Sequence, residues 1–212
     1  MRIVSGWARG IRLQVPQDDA VRPTEDKVKE SLFSTLGDLR DARVLDLFSG
    51  TGALGLEALS RGAAKVVMVE KDPRHAAVIR TNLANVLKAI APNPAGQATL
   101  RTEDAKSAAE HLLPGEQFDV ILADPPYHTQ KGQYGARELL LDESWLAHAT
   151  DETILVLEHA TDVRDLPWAP RSKWRLLKER TFGIRTVAYA TNAEAPADED
   201  DGPHSEDTTG DA

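Results

Sequence analysis

Short apolar runs alternate along this chain with longer stretches in which apolar positions recur at helical spacing. The runs Val44 to Leu47, Lys65 to Val69, Ala98 to Thr102, Phe118 to Ala123, Thr153 to Glu158, Trp174 to Glu179 and Arg185 to Ala190 predict seven strands. Between them, Leu54, Leu56 and Leu59 predict a helix that stops at Arg61-Gly62, and further helices are expected from Pro73, over Ala105 to Leu113 and over Ala136 to Ala149. Near the start, Val28, Leu32, Phe33 and Leu36 line one helix face, with Thr24 as its cap and Glu25 and Asp26 in the first turn. Ahead of that helix, alternation through Ile3, Val4, Gly6, Trp7, Gly10, Ile11 and Leu13 predicts a small hairpin projecting from the domain. Residues 91 to 97, His128 to Gly135 and Ala160 to Ser172 lack an apolar period and read as loops, the second a mobile one over a pocket. There is no internal repeat. The pattern is that of one α/β domain.

Asp124-Pro125-Pro126-Tyr127 directly follows the strand ending at Ala123 and places a carboxylate, a rigid turn and an aromatic face at a strand's end. The amino nitrogen of a nucleobase is a poor nucleophile because its lone pair is delocalised into the ring. Two acceptors on its N–H groups draw it out of conjugation. Asp124 can supply one, the Pro125 carbonyl the other, and the two prolines hold the backbone so that both point at one spot. Tyr127 offers a stacking surface. Taken alone, the same four residues also make an ordinary exit from a sheet.

A second constellation is Asp46, Phe48, Gly50 and Gly52, where a buried strand runs into a glycine loop and then a helix. Glycines there let a ligand approach the backbone closely. The spacing G-x-G-x-x-G is present over Gly50 to Gly55, but Asp46 ahead of it is an odd neighbour for a pyrophosphate. A carboxylate suits a cationic ligand better, and S-adenosylmethionine carries both a sulfonium and an ammonium group. Glu70, followed by Lys71, ends the next strand about 20 residues after the glycines, where an acid accepts the hydrogen bonds of a ribose diol. Asp72 reads as a helix cap. After the third strand, Asp104 can either receive an adenine amino group beside Ala105 or cap the helix that starts there.

With these residues in view, the chain resembles the RsmD family of class I S-adenosylmethionine-dependent methyltransferases. The likeness covers nearly all of residues 1 to 191. It is carried by Met1 to Gly6 with Arg9-Gly10, by Arg22-Pro23-Thr24 leading to Ser31-Leu32-Phe33, by Leu45 to Gly62 with Val69 to Asp72, and by Asp124 to Tyr127 with Val156 to His159. Ser49 stands where the family often has alanine, and Phe182-Gly183 where Tyr-Gly is usual. The resemblance implies a Rossmann-like seven-stranded sheet with helices on both faces and a final antiparallel hairpin, plus the N-terminal hairpin and helix as an extension. It implies S-adenosylmethionine as cofactor and methylation of the N2 amino group of a specific guanine in 16S ribosomal RNA, within an assembled or partly assembled small ribosomal subunit. It also places Arg22 and Thr24 near the cofactor and the target base. The motifs alone leave open another amino-group methyltransferase, acting on adenine N6 of a nucleic acid or on a protein glutamine, and a non-enzymatic RNA-binding assembly factor.

Composition narrows the class further. No run approaches the roughly 20 apolar residues of a membrane span, no signal peptide is visible, and a cytoplasmic monomer is expected. Without cysteine there is neither disulfide nor thiolate site, and the six histidines form no ligand-spaced pair, so no metal is expected. The net charge of −9 looks wrong for an RNA enzyme until the end of the chain is set apart. Residues 192 to 212 hold eight of the 34 acids and no Lys or Arg, which leaves 26 acids against 25 bases elsewhere. Such a segment is expected to be a disordered acidic tail, giving three parts: an extension over 1–37, a methyltransferase domain over 38–191 and the tail over 192–212. Basic charge gathers at the other end, where Arg2, Arg9, Arg12 and Arg22 are the candidate RNA contacts.

Overall fold

In the computed structural model the described residues are 1–16, 25–91, 93, 96–127 and 133–192. Seven strands form one sheet: β1 (Arg43–Leu47), β2 (Lys65–Val69), β3 (Gln97–Arg101), β4 (Phe118–Ala123), β5 (Ala149–Ala160), β6 (Arg175–Phe182) and β7 (Arg185–Thr191). Their order is β3-β2-β1-β4-β5-β7-β6, with β7 antiparallel to both its neighbours and the other pairs parallel. The helices are α1 (Asp26–Leu36), α2 (Ala53–Ser60), α3 (Pro73–Ile90), α4 (Ala105–His111) and α5 (Ala136–Leu141).

Both faces of the sheet are covered, which is why its central strands read as unbroken apolar runs. Val44, Val66, Met68, Val120, Leu122 and Val156 point to one face, where α1, α2, α3 and the N-terminal arm pack. Leu45, Leu47, Val67, Val69, Ile121, Leu155 and Leu157 point to the other, under α4, α5 and Trp145. Successive residues alternate between two cores, so a one-residue slip of any inner strand would exchange its whole apolar set.

Several expectations need correction. The first 13 residues do not project. They make a single antiparallel bridge, Arg2 to Arg12, and lie against α2. Burial of Ile3, Ala8 and Leu13 in the core decides this, together with the buried Glu57 of α2, which accepts from Val4 N at 2.8 Å and Ser5 N at 2.9 Å. Ser60 continues the seam, its Oγ accepting from Ala8 N at 2.9 Å and its carbonyl from Trp7 N at 2.8 Å. Helix α1 is flanked by Glu25 at its N-cap rather than Thr24, which lies outside the described residues. The helix expected over Ala136 to Ala149 ends at Leu141, because the Asp142 carboxylate accepts from Ser144 N and restarts the chain as a 3-10 helix over Glu143–His148. Strand β5 accordingly begins at Ala149, earlier than its apolar run. The loop expected after Tyr127 falls outside the described residues over 128–132, as does the acidic tail from 193 onward.

Candidate active site

All the site chemistry sits at the carboxyl edge of the parallel strands. Register brings it together: Leu47 pairs with Val69 on one side and Ala123 on the other, and Ala123 pairs with Leu157. The next residue on each strand is therefore Phe48, Glu70, Asp124 and Glu158, one row across β1, β2, β4 and β5. A cavity of about 710 Å³ opens over this row. It lies beside β1 and β4, where the strand order reverses and α/β sheets characteristically bind ligands.

On the glycine-loop side, Asp46 is 1% exposed and its Oδ2 accepts from Gly55 N at 2.9 Å. A Cβ at Gly55 would lie 2.9 Å from that oxygen and 2.9 Å from Met68 Cγ, so only glycine lets α2 come this close. Gly52 turns the chain into α2 with φ of +76°. Ser49 Oγ donates to the Asp46 carbonyl at 2.7 Å and accepts from Val69 N at 3.1 Å, tying the loop to β2. Glu70 is preset by two backbone donors: Gly50 N reaches Oε2 and Asp72 N reaches Oε1, both at 2.8 Å. His75 Nδ1 stands 3.7 Å from the same carboxylate. Burial pushes the Asp46 carboxyl up to about 7, against the lowering effect of its Gly55 hydrogen bond and with help from the nearby Glu70 charge.

On the other side, Asp124, Pro125, Pro126 and Tyr127 form the cavity wall. The Asp124 carboxyl lies well above the usual carboxylate range, through desolvation first and the Glu158 charge second, with Asp46 adding to both and Arg185 opposing. The Tyr127 hydroxyl donates to Glu158 Oε1, and the same oxygen lies 3.3 Å from Arg185 Nη1. Burial and this bond hold the phenol above its ordinary range.

The structure thus places Asp46, Phe48, Gly50, Glu70, Lys71, Ala105 and the Asp124 to Tyr127 turn around one cavity. Asp104 is different: its exposed carboxylate caps α4 by accepting from Lys106 N at 3.0 Å, and Glu103 and Ala105 face the cavity in its place. Asp72 caps α3, as its position before Pro73 leads one to expect. Arg2, Arg9 and Arg12 are exposed on the N-terminal arm, whose Met1 reaches the cavity beside Thr51. Arg22 and Thr24 lie outside the described residues. Sequence reasoning missed Glu158 and Arg185, which line the cavity, and the support that Tyr134 gives the cavity residue Phe48 by stacking its ring on it with centroids 6.2 Å apart. The available signal for Glu158 was the one that marked Glu70, an acid directly after an apolar run, here Ile154 to Leu157. Among the described residues no group of three or more His, Asp or Glu side chains could hold a metal ion, and no helix is long and apolar enough to cross a membrane.

Comparison with known proteins agrees with this geometry. A family model described as Conserved hypothetical protein 95 matches residues 1–191. Ribosomal RNA small subunit methyltransferase D of Escherichia coli is 34% identical over 203 residues, 94% of each chain. The protein of the same name from Haemophilus influenzae is 35% identical over 190 residues, 89% of this chain and 91% of the relative. The solved structure of the methyltransferase-fold protein yhhF from Escherichia coli superposes with a TM-score of 0.72 at 33% identity, covering 92% of this chain and 99% of the other. Fold, cavity chemistry and relatives converge, and the chain belongs to the family of ribosomal RNA small subunit methyltransferase D.

Proposed function

We propose that this protein transfers a methyl group from S-adenosylmethionine to the N2 amino group of a guanine in 16S ribosomal RNA, acting as a cytoplasmic monomer on an assembled or partly assembled small subunit. The observation that carries the reading is the facing of two halves across one cavity, the glycine loop with its acids and the Asp-Pro-Pro-Tyr turn.

The residues present suit the cofactor. Glu70, its carboxylate already oriented by Gly50 N and Asp72 N, keeps lone pairs for a ribose diol. Asp46, Asp124 and Glu158 make the cavity acidic, which favours a ligand bearing sulfonium and ammonium charges. Phe48 and Ala105 supply apolar surface for a purine ring. When bound, S-adenosylmethionine supplies an electrophilic methyl group: the new N–C bond forms as the S–C bond breaks, and the attacking amine is left with one proton in excess.

The chain's own contribution is to the acceptor. Tyr127 offers the face on which an unstacked guanine lies. The Asp124 carboxylate and the Pro125 carbonyl accept the two N2 hydrogens, which localises the nitrogen lone pair toward the methyl donor. Asp124 then takes the surplus proton, directly or through water. Its raised proton affinity makes it a better acceptor than an ordinary carboxylate. Arginines of the N-terminal arm supply phosphate contacts that fix the RNA over the cavity without reading its sequence.

The test is incubation of the purified protein with radiolabelled S-adenosylmethionine and small subunits lacking the modification, followed by mapping of the labelled nucleotide by mass spectrometry. Label on a guanine N2 of 16S RNA is the expected result. Label on adenine, or on a protein glutamine in a panel of acceptors, would keep the methyl transfer and overturn the substrate.

A further inference from the structure

Glu158 carries a hydrogen-bonding pattern that stability does not explain. It is 3% exposed, at the cavity wall. Its Oε1 takes both the Tyr127 hydroxyl and the Arg185 guanidinium, whereas Oε2 has no hydrogen-bond partner among the described residues. Arg185, at the start of β7, is buried as well. Moving two such charges out of water costs several kcal/mol per ion, and a pair of well-packed apolar residues commonly does as well or better. A carboxylate bonded on one oxygen only is a poor choice for a purely structural brace.

The pair does have a geometric effect at the site. The two prolines hold the backbone that leads into Tyr127, but the tyrosine ring keeps two torsions of its own. A hydrogen bond at the far end of the ring, to a residue within the sheet, removes that freedom.

Resting on the reading of this cavity as a target-base pocket, we propose that Glu158, braced by Arg185, is a positioning residue that fixes the Tyr127 ring as a preset stacking platform and acts electrostatically on Asp124. A ring already in place loses no rotamer freedom when the base arrives, so more of the stacking energy reaches the reacting geometry. The charged groups facing Asp124 come from three strands: Glu158 of β5 and Asp46 of β1 favour its protonated form, and Arg185 of β7 favours the ionised one.

The measurement is kcat, KM and S-adenosylhomocysteine affinity for Tyr127→Phe, Glu158→Ala, Glu158→Gln and the double variant Tyr127→Phe/Glu158→Ala, on unmodified small subunits. Tyr127→Phe keeps the ring and leaves the buried ion pair intact, so it is the decisive variant if Glu158→Ala does not fold. It is expected to lose about fivefold to tenfold in kcat/KM for RNA, the worth of one hydrogen bond, with cofactor affinity unchanged. Glu158→Ala should lose at least as much, and adding Tyr127→Phe to it should cost little more. Glu158→Gln still offers the hydroxyl an acceptor and should retain more activity than Glu158→Ala. With the charge beside Asp124 gone, its acid limb of kcat should move to lower pH. Wild-type kcat/KM in Tyr127→Phe, losses that multiply in the double variant, or an unmoved acid limb in Glu158→Gln would each overturn the proposal. The substrate reading fails separately, by the identity of the nucleotide that wild-type enzyme labels; the variants are then compared on whichever acceptor it does label.

Discussion

Two carboxylates of the cavity, Asp46 and the half-buried Asp124, do different work because their surroundings differ. Asp124 has Glu158 as its strongest charged neighbour and is the group proposed to hold the acceptor, so Asp124→Ala is expected to lower kcat by at least about 100-fold, the low end of what a positioned acid or base contributes. Cofactor affinity should change little, and single-turnover transfer beside calorimetric binding of S-adenosylhomocysteine separates the two. Asp46 lies on the other half of the cavity, and its carboxyl is raised from 3.8 to about 7. Within that window the folded chain holds a proton that the unfolded chain has released, so stability falls as pH rises from about 4 to 7. Full ionisation then costs the folded state on the order of 4 kcal/mol, at roughly 1.4 kcal/mol per unit. Asp46→Asn carries no such proton. Thermal melts across pH should show the variant gaining on wild type as pH rises through the window and staying ahead at pH 8, while cofactor binding is lost. A variant whose advantage does not change with pH would count against this account. Asp46 was legible as a carboxylate in a buried strand just ahead of a glycine loop, and Asp124 as the residue directly after one. The Glu158 and Arg185 pair was hidden because its partners are 27 positions apart and meet only when β5 and β7 run antiparallel.

Among the elements, the N-terminal arm departs furthest from expectation. Alternating apolar residues specify an extended segment with one apolar side, but the pattern does not say what that side will cover. Glu57 supplies the answer, because a buried carboxylate needs donors and the N–H groups of Val4 and Ser5 lie within reach. Gly6 marks the closest approach: its φ is +78°, and a Cβ there would fall 1.9 Å from the Ser60 carbonyl oxygen. Gly6→Ala is therefore expected to lift the arm from α2 and to cost roughly 1–3 kcal/mol, seen as a lower urea midpoint with unchanged slope. Since Met1 borders the cavity, S-adenosylhomocysteine should also bind more weakly. Helix α5 taught a similar lesson at its end. The apolar period continues through Trp145 and Leu146, so only the local hydrogen bonds of Asp142 reveal that the helix stops. The strands were read closely because both sheet faces are covered, and a continuous apolar run has few other homes.

For the whole molecule, charge is distributed so that the sheet-bearing part is close to neutral and the last residues hold a concentrated negative block. Deleting residues 193–212 should leave the melting temperature and the cofactor affinity unchanged. RNA affinity should rise severalfold at low salt and converge with the full chain as salt screens the tail, over a Debye length of about 10 Å at 0.1 M. Equal affinity at low salt would show that the tail exerts no repulsion. The pairing of Leu47 with Ala123 has a wider meaning for how such a protein can change. The glycine loop and the Asp-Pro-Pro-Tyr turn hang from neighbouring strands, and the gap between those strand ends is one ladder spacing of about 4.8 Å. Neither a hinge nor a sliding domain sets that gap; the backbone hydrogen bonds do. Loops and arms can drift toward new targets while the ladder serves as a fixed ruler, so in this architecture altered selectivity need not disturb the alignment that makes transfer possible.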